Sequence, residues 1–133
     1  MAVVSDPGAS QSKAISTTTD ETGTASYVFT ITTAGTYYLW GRVLAPTTAL
    51  DSFYVAMDTG AEDVYDAAEG TWSTGWQWTR LNGRNGTSTP LTLNPRSFSL
   101  SAGTHTLKIR GRERGTELDR VFMTNDAAAI PAP

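Results

Sequence analysis

The sequence predicts an all-β fold, a β-sandwich of about 8 antiparallel strands. Three observations predict this fold class. Short apolar stretches alternate with polar residues, Gly-, Ser- and Thr-rich turns separate them, and no stretch shows the period of an amphipathic helix. The length of 133 residues suits one domain with a single core.

Seven stretches show the alternation expected of strands. In TYYLWGRVL, residues 36–44, Leu39 falls on one face and Trp40 on the other. In HTLKIRGR, residues 105–112, Leu107 would point inward and the basic residues outward. In chain order the predicted strands are 26–31, 36–44, 52–57, 76–81, 96–100, 105–112 and 118–124.

Charge and composition exclude several classes of partner. Lys and Arg total 10 and Asp and Glu total 13, and the net charge of −3 is not the basic footprint of a nucleic-acid or anionic-membrane binder. The chain has no cysteine, which excludes disulfides and thiolate metal sites. No apolar run approaches the roughly 18 residues of a membrane-spanning helix. We therefore expect neither nucleic acid nor a membrane as partner.

The two ends of the chain differ from the rest. The start, MAVVSDPGAS, lacks the basic and long apolar segments of a signal peptide. The end, NDAAAIPAP, is rich in Ala and Pro without periodicity and is expected to bury nothing. The sequence thus predicts a domain at 1–126 and a linker or tail at 127–133, cut from a larger protein.

Four phrases, in this order, resemble the carbohydrate-binding modules of families 6 and 35: GTYYLWGRV at 35–43, DSF at 51–53, GTHTLKI at 103–109 and RGTELDRV at 114–121. The resemblance covers the chain from Ser26 to Asp126. It implies a β-sandwich jelly roll of the galactose-binding-domain type. It also implies a non-catalytic module that targets an extracellular, bacterial, multidomain polysaccharide-active enzyme to its glycan, with a polysaccharide or oligosaccharide as ligand.

The resemblance is incomplete at the N-terminus. These modules usually open with a strand that carries an acidic pair and helps to hold a structural calcium, and this chain starts at the stretch that follows that strand. Whether calcium is bound is left open, with Asp51 and Asp119 as the candidate ligands. The favoured alternative is that each is a structural carboxylate bound by Arg42, Arg112 or backbone amides.

A missing first strand would leave one sheet edge unpaired. Such an edge is either covered by the N-terminal residues or open to another chain. The alternative function is therefore a structural or interaction module that joins domains, or forms a dimer, through this edge.

Three tryptophans lie within GTWSTGWQWTR, residues 70–80. Trp72 has polar and glycine neighbours typical of an exposed loop, and the resemblance implies that a loop aromatic packs on the sugar. Trp72 is therefore the first candidate for a sugar platform and Trp76 the second. Trp78 is predicted to lie in the sheet core, and Trp40 in the core or directly behind the site.

Sugar hydroxyls need paired donors and acceptors beside such a platform. The resemblance implies a residue just after the last strand, and Asn125 is the candidate there. Arg80 and Asn82 adjoin the tryptophan-rich stretch and are further candidates. Two plainer readings stay open, a strand-end turn at Asn125 and a simple hairpin turn for NGRNG at 82–86.

No catalytic arrangement is predicted, and we expect no enzymatic activity. His105, the only histidine, opens a strand, where a packed role is usual. Glu113 and Glu117 resemble a glycosidase carboxylate pair in type, but neighbouring arginines indicate surface ion pairs. DTGAEDVYDAAE, residues 58–69, departs from the EF-hand pattern and is read as a solvated loop.

Overall fold

The computed structural model describes residues 1–68, 75–86 and 96–132, and these residues form ten strands in two antiparallel sheets. The strands are β1 (Ala2–Ser5), β2 (Lys13–Ser16), β3 (Thr24–Ile31), β4 (Gly35–Leu44), β5 (Ser52–Met57), β6 (Asp63–Asp66), β7 (Gln77–Arg80), β8 (Ser97–Leu100), β9 (Gly103–Gly111) and β10 (Glu117–Thr124). A short 3₁₀ helix, Ser10–Ser12, precedes β2. Within the described ranges, no helix is long and apolar enough to cross a membrane.

The two sheets form the layers of a sandwich, so the predicted β-sandwich is confirmed. The six-stranded sheet has the order β1-β2-β10-β4-β7, with β8 also paired to β4. The four-stranded sheet has the order β3-β9-β5-β6. β4 is long because it serves two partners on one side: residues 35–38 pair with β8 and residues 40–43 pair with β7.

Strand alternation decides which side chains meet between the sheets. Leu39 and Val43 of β4, Phe53 of β5 and Ile109 of β9 belong to one core cluster and are at most 1% exposed. Burying each such side chain stabilises the fold by about 1.5–3 kcal/mol. The residues between them along each strand point away from this core.

Gly41 lets a side chain of the four-stranded sheet reach the backbone of β4. A Cβ at Gly41 would lie 2.7 Å from the hydroxyl oxygen of Tyr65 on β6 and 3.1 Å from Leu118 on β10. The Tyr65 hydroxyl donates to the carbonyl oxygen of Thr79 on β7 at 3.1 Å. A residue with a side chain at position 41 would therefore separate the layers at this point.

A β-bulge interrupts β10 at Asp119. Leu118 pairs with Val43 and Arg120 pairs with Arg42, so Asp119 is one residue more than β4 has opposite it. Strict alternation with Val121 and Met123 would point Asp119 inward and Leu118 outward. Instead Leu118 takes the inward place, at 1% exposure, and the extra residue turns toward the loop after β1.

All seven predicted strands are present, with ends shifted by at most two residues, and β1, β2 and β6 were missed. β6 contradicts the reading of residues 58–69 as a solvated loop, because Tyr65 and Asp66 are buried. The carboxylate of Asp66 is stable there because Arg84 donates to both of its oxygens, at 3.0 and 2.6 Å.

The N-terminal residues cover the sheet edge, which was one of the two alternatives from the sequence. β1 pairs with β2 through four residue pairs, from Ala2 with Ser16 to Ser5 with Lys13. Among the described strands β1 has no second neighbour, and its Val3 is 68% exposed. Assembly through this edge stays a prediction.

Candidate functional site

The side of the six-stranded sheet that faces away from the core carries aromatic and arginine side chains. On β4 the inward places belong to Leu39 and Val43, and on β7 the buried Thr79 points inward. Their strand neighbours therefore point outward. We call this side the outer face; it comprises Tyr38, Trp40 and Arg42 of β4, Trp78 and Arg80 of β7, and Arg120 and Phe122 of β10.

The tryptophans of the described residues lie outside the core. Trp40 and Trp78 are on the outer face, Trp76 precedes β7 with the same alternation, and all three are partly exposed. The expectation that Trp78 lies in the sheet core is therefore wrong, and Trp40 also faces outward. The inward places beside them belong to Gly41 and Thr79, whose small size admits the tyrosine of β6.

Arg42, on the outer face, is held by a buried carboxylate. Its Nη1 atom lies 2.5 Å from Oδ2 of Asp119, whose side chain is fully buried. The Ser10 N–H donates to Oδ1 of Asp119 at 2.9 Å, and the Ser10 hydroxyl donates to the same oxygen. Burial alone would raise the pKa of Asp119, but these hydrogen bonds from Ser10 and Arg42 outweigh it and lower the pKa. Arg42 is thus a fixed cation.

These contacts bear on a structural calcium. Arg42 places its positive charge where a metal ion bound to Asp119 would have to lie, so the residues at Asp119 do not fit calcium. Asp51 is buried; burial first, and the charge of Glu113 second, raise the pKa of its carboxyl to about 7. Among the described residues there is no group of three His, Asp or Glu side chains that could hold a metal ion.

A cavity of about 160 Å³ lies between the outer face and the loop after β1, lined by Gly8, Ala9, Ser10, Arg42, Trp78 and Arg120. We call it the Trp76 groove, because the Trp76 ring packs against two of its walls. The guanidinium carbon of Arg42 is 5.2 Å from the centre of that ring, and a Cβ at Gly8 would lie 2.8 Å from the indole. Trp76 Nε1 also donates to Asp6 at 3.4 Å. The indole orientation is therefore fixed by the fold.

A second cavity, of about 410 Å³, adjoins the same face. It is lined by Trp78, Arg120, Val121, Phe122, Ile130, Pro131 and Ala132. Residues 127–132, which we call the C-terminal segment, form one of its walls. Trp78 Nε1 donates to the carbonyl oxygen of Ala132 at 3.0 Å, and Arg80 Nη1 to that of Ala127 at 3.3 Å. Contrary to expectation this segment does bury a residue, Pro131.

The other predicted site residues fall in different places. Trp72 lies outside the described residues. Asn82 is buried at 2% exposure; its Oδ1 accepts the Asp66 N–H at 2.9 Å and its Nδ2 donates to the Asp66 carbonyl at 3.1 Å. Arg80 is on the outer face, with its guanidinium carbon 4.4 Å from the centre of the Tyr38 ring. Both polar groups of the Asn82 amide are thus engaged within the fold.

The structure does not bring Trp76 and Asn125 together. Trp76 precedes Gln77, which pairs with Val43, whereas the exposed Asn125 follows Thr124, which pairs with Tyr38. Five residues of extended β4 separate these two levels, roughly 17 Å. A ligand that contacts both would have to run the length of the outer face.

Sequence reasoning missed Arg42, Arg120 and Phe122 as members of this surface. A signal was present, because alternation placed Trp40 and Arg42 on one face of the strand and a charged residue mid-strand marks the solvent side. The bulge at Asp119 gave no signal in the sequence.

Two of the three residues considered for catalysis make contacts that hold the fold together. The third, Glu117, does not form the expected ion pair: its Oε2 is buried without a hydrogen-bond partner among the described residues. His105 is 8% exposed, with Nδ1 2.7 Å from Asp58 and Nε2 2.7 Å from the Ser101 carbonyl oxygen, so its expected packed role is confirmed. Glu113 pairs with Arg112 at 2.8 Å.

Comparisons with known proteins address the fold. No protein-family model matches the sequence, and no curated protein matches it either. Similar solved structures include a GH26-CBM35 β-(1,4)-mannanase from Podospora anserina, at TM-score 0.71 and 15% identity, covering 98% of this chain and 26% of that chain. This chain therefore spans about a quarter of that enzyme's length.

Two separate binding modules are also similar. A family 35 carbohydrate-binding module from Clostridium thermocellum has a TM-score of 0.63 and 12% identity, over 92% of this chain and 86% of that one. A family 35 module from Cellvibrio japonicus has a TM-score of 0.66 and 14% identity, over 92% of this chain and 80% of that one. The chain has the fold of the family 35 carbohydrate-binding modules.

Proposed function

We propose that this protein is a non-catalytic carbohydrate-binding module that holds an extracellular polysaccharide-active protein on its glycan. The observation that carries the proposal is the position of two tryptophans outside the core: Trp78 lines a groove on the outer face of one sheet, and Trp76 packs against Arg42 and Gly8, which form two of its walls. The fold shared with family 35 modules supports the same function.

The chemistry of the Trp76 groove suits a sugar. An indole offers a flat apolar face on which the C–H face of a pyranose packs. Arg120 lines the groove with 59% of its side chain exposed, so its guanidinium is accessible to hydroxyl oxygens.

The groove is also preorganised. Arg42 is fixed by Asp119, and Trp76 by Arg42 and Asp6. Side chains that are already ordered lose little conformational entropy when a ligand binds, which favours affinity. This matters for a module whose attachment to a polymer depends on several weak contacts.

The remaining predicted ligand residues keep their proposed roles in part. Trp72 lies four residues before Trp76 in the sequence and stays the candidate loop platform. Asn125 lies at the other end of the outer face and would contact only a longer ligand.

The first test is affinity electrophoresis on soluble galactans, xylans, mannans, glucans and pectins, with tryptophan fluorescence followed in parallel. We expect at least one polymer to retard the protein. Trp76→Ala and Trp78→Ala should weaken that retardation about thirtyfold each, the effect of removing a central aromatic anchor. Trp72→Ala tests the loop platform in the same assay.

Tyr54→Ala is the matched control. Tyr54 also carries an arginine over its ring, with the guanidinium carbon of Arg110 at 4.0 Å, but it belongs to the four-stranded sheet. Its loss should leave retardation unchanged. Equal retardation of all variants would exclude the Trp76 groove as the binding site, and hydrolysis of the polymers by the wild-type protein would contradict the non-catalytic role.

A further inference from the structure

The C-terminal segment is held on the outer face by its own main chain. The indole of Trp78 and the guanidinium of Arg80, two residues apart on β7, donate to the carbonyl oxygens of Ala132 and Ala127. These contacts use side-chain donors of the sheet and oxygen acceptors of the segment. A chain of sugar units also presents oxygen acceptors, in its hydroxyl groups.

One donor on this face is unsatisfied. Arg80 Nε is buried and has no hydrogen-bond partner among the described residues. A buried donor without an acceptor costs more than a hydrogen bond gains, so such groups usually have a partner in the functional state. The unsatisfied Arg80 Nε therefore indicates a ligand that would supply one more hydrogen-bond acceptor than the C-terminal segment does.

The segment fits the face loosely. A cavity of about 410 Å³ remains between its residues 130–132 and the side chains of Trp78, Arg120 and Phe122. Ile130, its largest apolar residue, is 77% exposed. Pro131 is the buried exception. A cover with so little packing is readily displaced.

The surface under the segment continues the Trp76 groove. Trp78 and Arg120 line both cavities, so the two depressions share a common wall. With the segment removed, the outer face would be open from the Trp76 groove to the Trp40 and Arg80 level of β4 and β7. A linear ligand could then contact tryptophans at both levels.

We infer that the glycan-binding surface extends beneath the C-terminal segment, and that the segment occupies it in place of an internal stretch of a linear polysaccharide chain. This inference rests on the proposed function. The segment is then a built-in competitor: short sugars bind in the Trp76 groove with the segment in place, and long chains displace it. Affinity for long chains is reduced by the fraction of molecules in which the segment is bound.

Two variants of the full chain test the inference. Pro131→Gly removes the buried ring and loosens the segment, so the closed form should lose population. We expect the polymer that best retards the wild-type protein to bind this variant about five- to tenfold more tightly. That is the effect expected if the loosened segment no longer makes one or two of its exposed hydrogen bonds to the outer face. Ala128→Gly is the control. It makes the backbone of the same segment more flexible but removes no buried group, because Ala128 is exposed.

The Trp78 indole N–H signal in ¹⁵N NMR spectra, assigned with Trp78→Phe, reports the segment directly. In Pro131→Gly it should move toward the position of a solvent-exposed indole, and the polymer should displace the segment signals of the wild-type protein toward random-coil positions. The same retardation for both variants, or polymer binding with the segment signals unmoved, would overturn the competitor role and leave the proposed function standing. No binding by any variant, with the segment shown to be released in Pro131→Gly, would overturn both.

Discussion

The two outward sheet faces both place an arginine over an aromatic ring, but they use the arginine differently. On the four-stranded sheet, Arg110 covers Tyr54 and gives two hydrogen bonds of 2.8 Å to Glu62. The Tyr54 hydroxyl donates to Glu21 at 3.0 Å. The donors around Tyr54 are thus satisfied by side chains of the loops that adjoin this sheet.

The outer face of the six-stranded sheet leaves donors available. Arg120 is 59% exposed, and its contact with Asp119 spans 4.0 Å. Within the part of the chain that the structure describes, the Trp78 and Arg80 donors are met only by the main chain of the C-terminal segment. An aromatic ring beside an arginine therefore does not by itself mark a binding surface; unfilled donors beside exposed rings do.

The largest difference between the faces should appear when each arginine is removed. Arg42→Ala leaves the buried Asp119 without its cation, and we expect a loss of roughly 3 kcal/mol in the free energy of unfolding, measured with urea. Arg110→Ala removes an exposed pair and should cost about 0.5 kcal/mol or less. In the Arg42→Ala background, Asp119→Asn should recover part of the loss, because an amide has no charge to bury. Equal losses for the two arginines would contradict the contrast between the faces.

Gly41→Ala tests the contact that holds the outer face against the other sheet. The added Cβ would meet the Tyr65 hydroxyl, and overpacking of this kind costs about 2 kcal/mol. Gly35→Ala is the control on the same strand, since a Cβ there meets nothing within 4 Å. Thermal unfolding of the two variants should differ clearly, and an unchanged melting temperature for Gly41→Ala would show that Tyr65 does not need to cross to β4.

The buried carboxylates of the two sheets should respond to pH in opposite directions. Burial raises the pKa of Asp51 to about 7. Between about pH 4 and about pH 7 the Asp51 carboxyl of the unfolded chain loses its proton while that of the folded chain keeps it, so the free energy of unfolding falls as pH rises. Hydrogen bonds lower the pKa of Asp119, so its contribution is present above the usual Asp range and is lost as pH falls through the folded value. Urea unfolding across this range should show that Asp51→Asn flattens the first dependence and Asp119→Asn the second. A slope that survives in Asp51→Asn would assign it to another group.

The smallest expected effect concerns His105 at the rim of the four-stranded sheet. The hydrogen bond with Asp58, and then that with the Ser101 carbonyl, raise the pKa of His105. The resulting stabilisation is complete below the unfolded pKa and disappears as pH rises through the folded one. His105→Gln should remove this part of the pH dependence from melting temperatures measured between about pH 6 and about pH 8, the range in which histidine ordinarily titrates. Binding to polysaccharide should not change, because His105 belongs to the four-stranded sheet and the outer face to the other one.

Local patterns were enough to predict much of the fold. Alternation in 36–44 and 105–112 identified β4 and β9 because their inward residues are apolar. β6 was missed because it begins and ends with Asp63 and Asp66. The cations that neutralise them come from Arg96 and Arg84, far along the chain, and no local window contains both charges.

The candidate site was only partly predictable for a similar reason. The strand pattern separated Leu39 from Trp40, and Arg42, on the same side as Trp40, was the one local sign of which side faces the solvent. That choice depends on Gly41, which admits Tyr65 from the other sheet. The tryptophan-rich stretch and the family resemblance identified Trp76 as a candidate. Trp78, predicted for the core, lies on the outer face because the buried Thr79 takes the inward place on β7.

The bulge at Asp119 has a consequence for how this surface can vary. It changes the phase of β10, so that residues with even numbers point inward before it and outward after it. Deleting this one residue would put both halves in the same phase and turn Leu118 to the solvent, or Arg120 and Phe122 to the core. As long as the extra residue is kept, the outer-face residues after the bulge can be substituted without changing which residues before it point into the core.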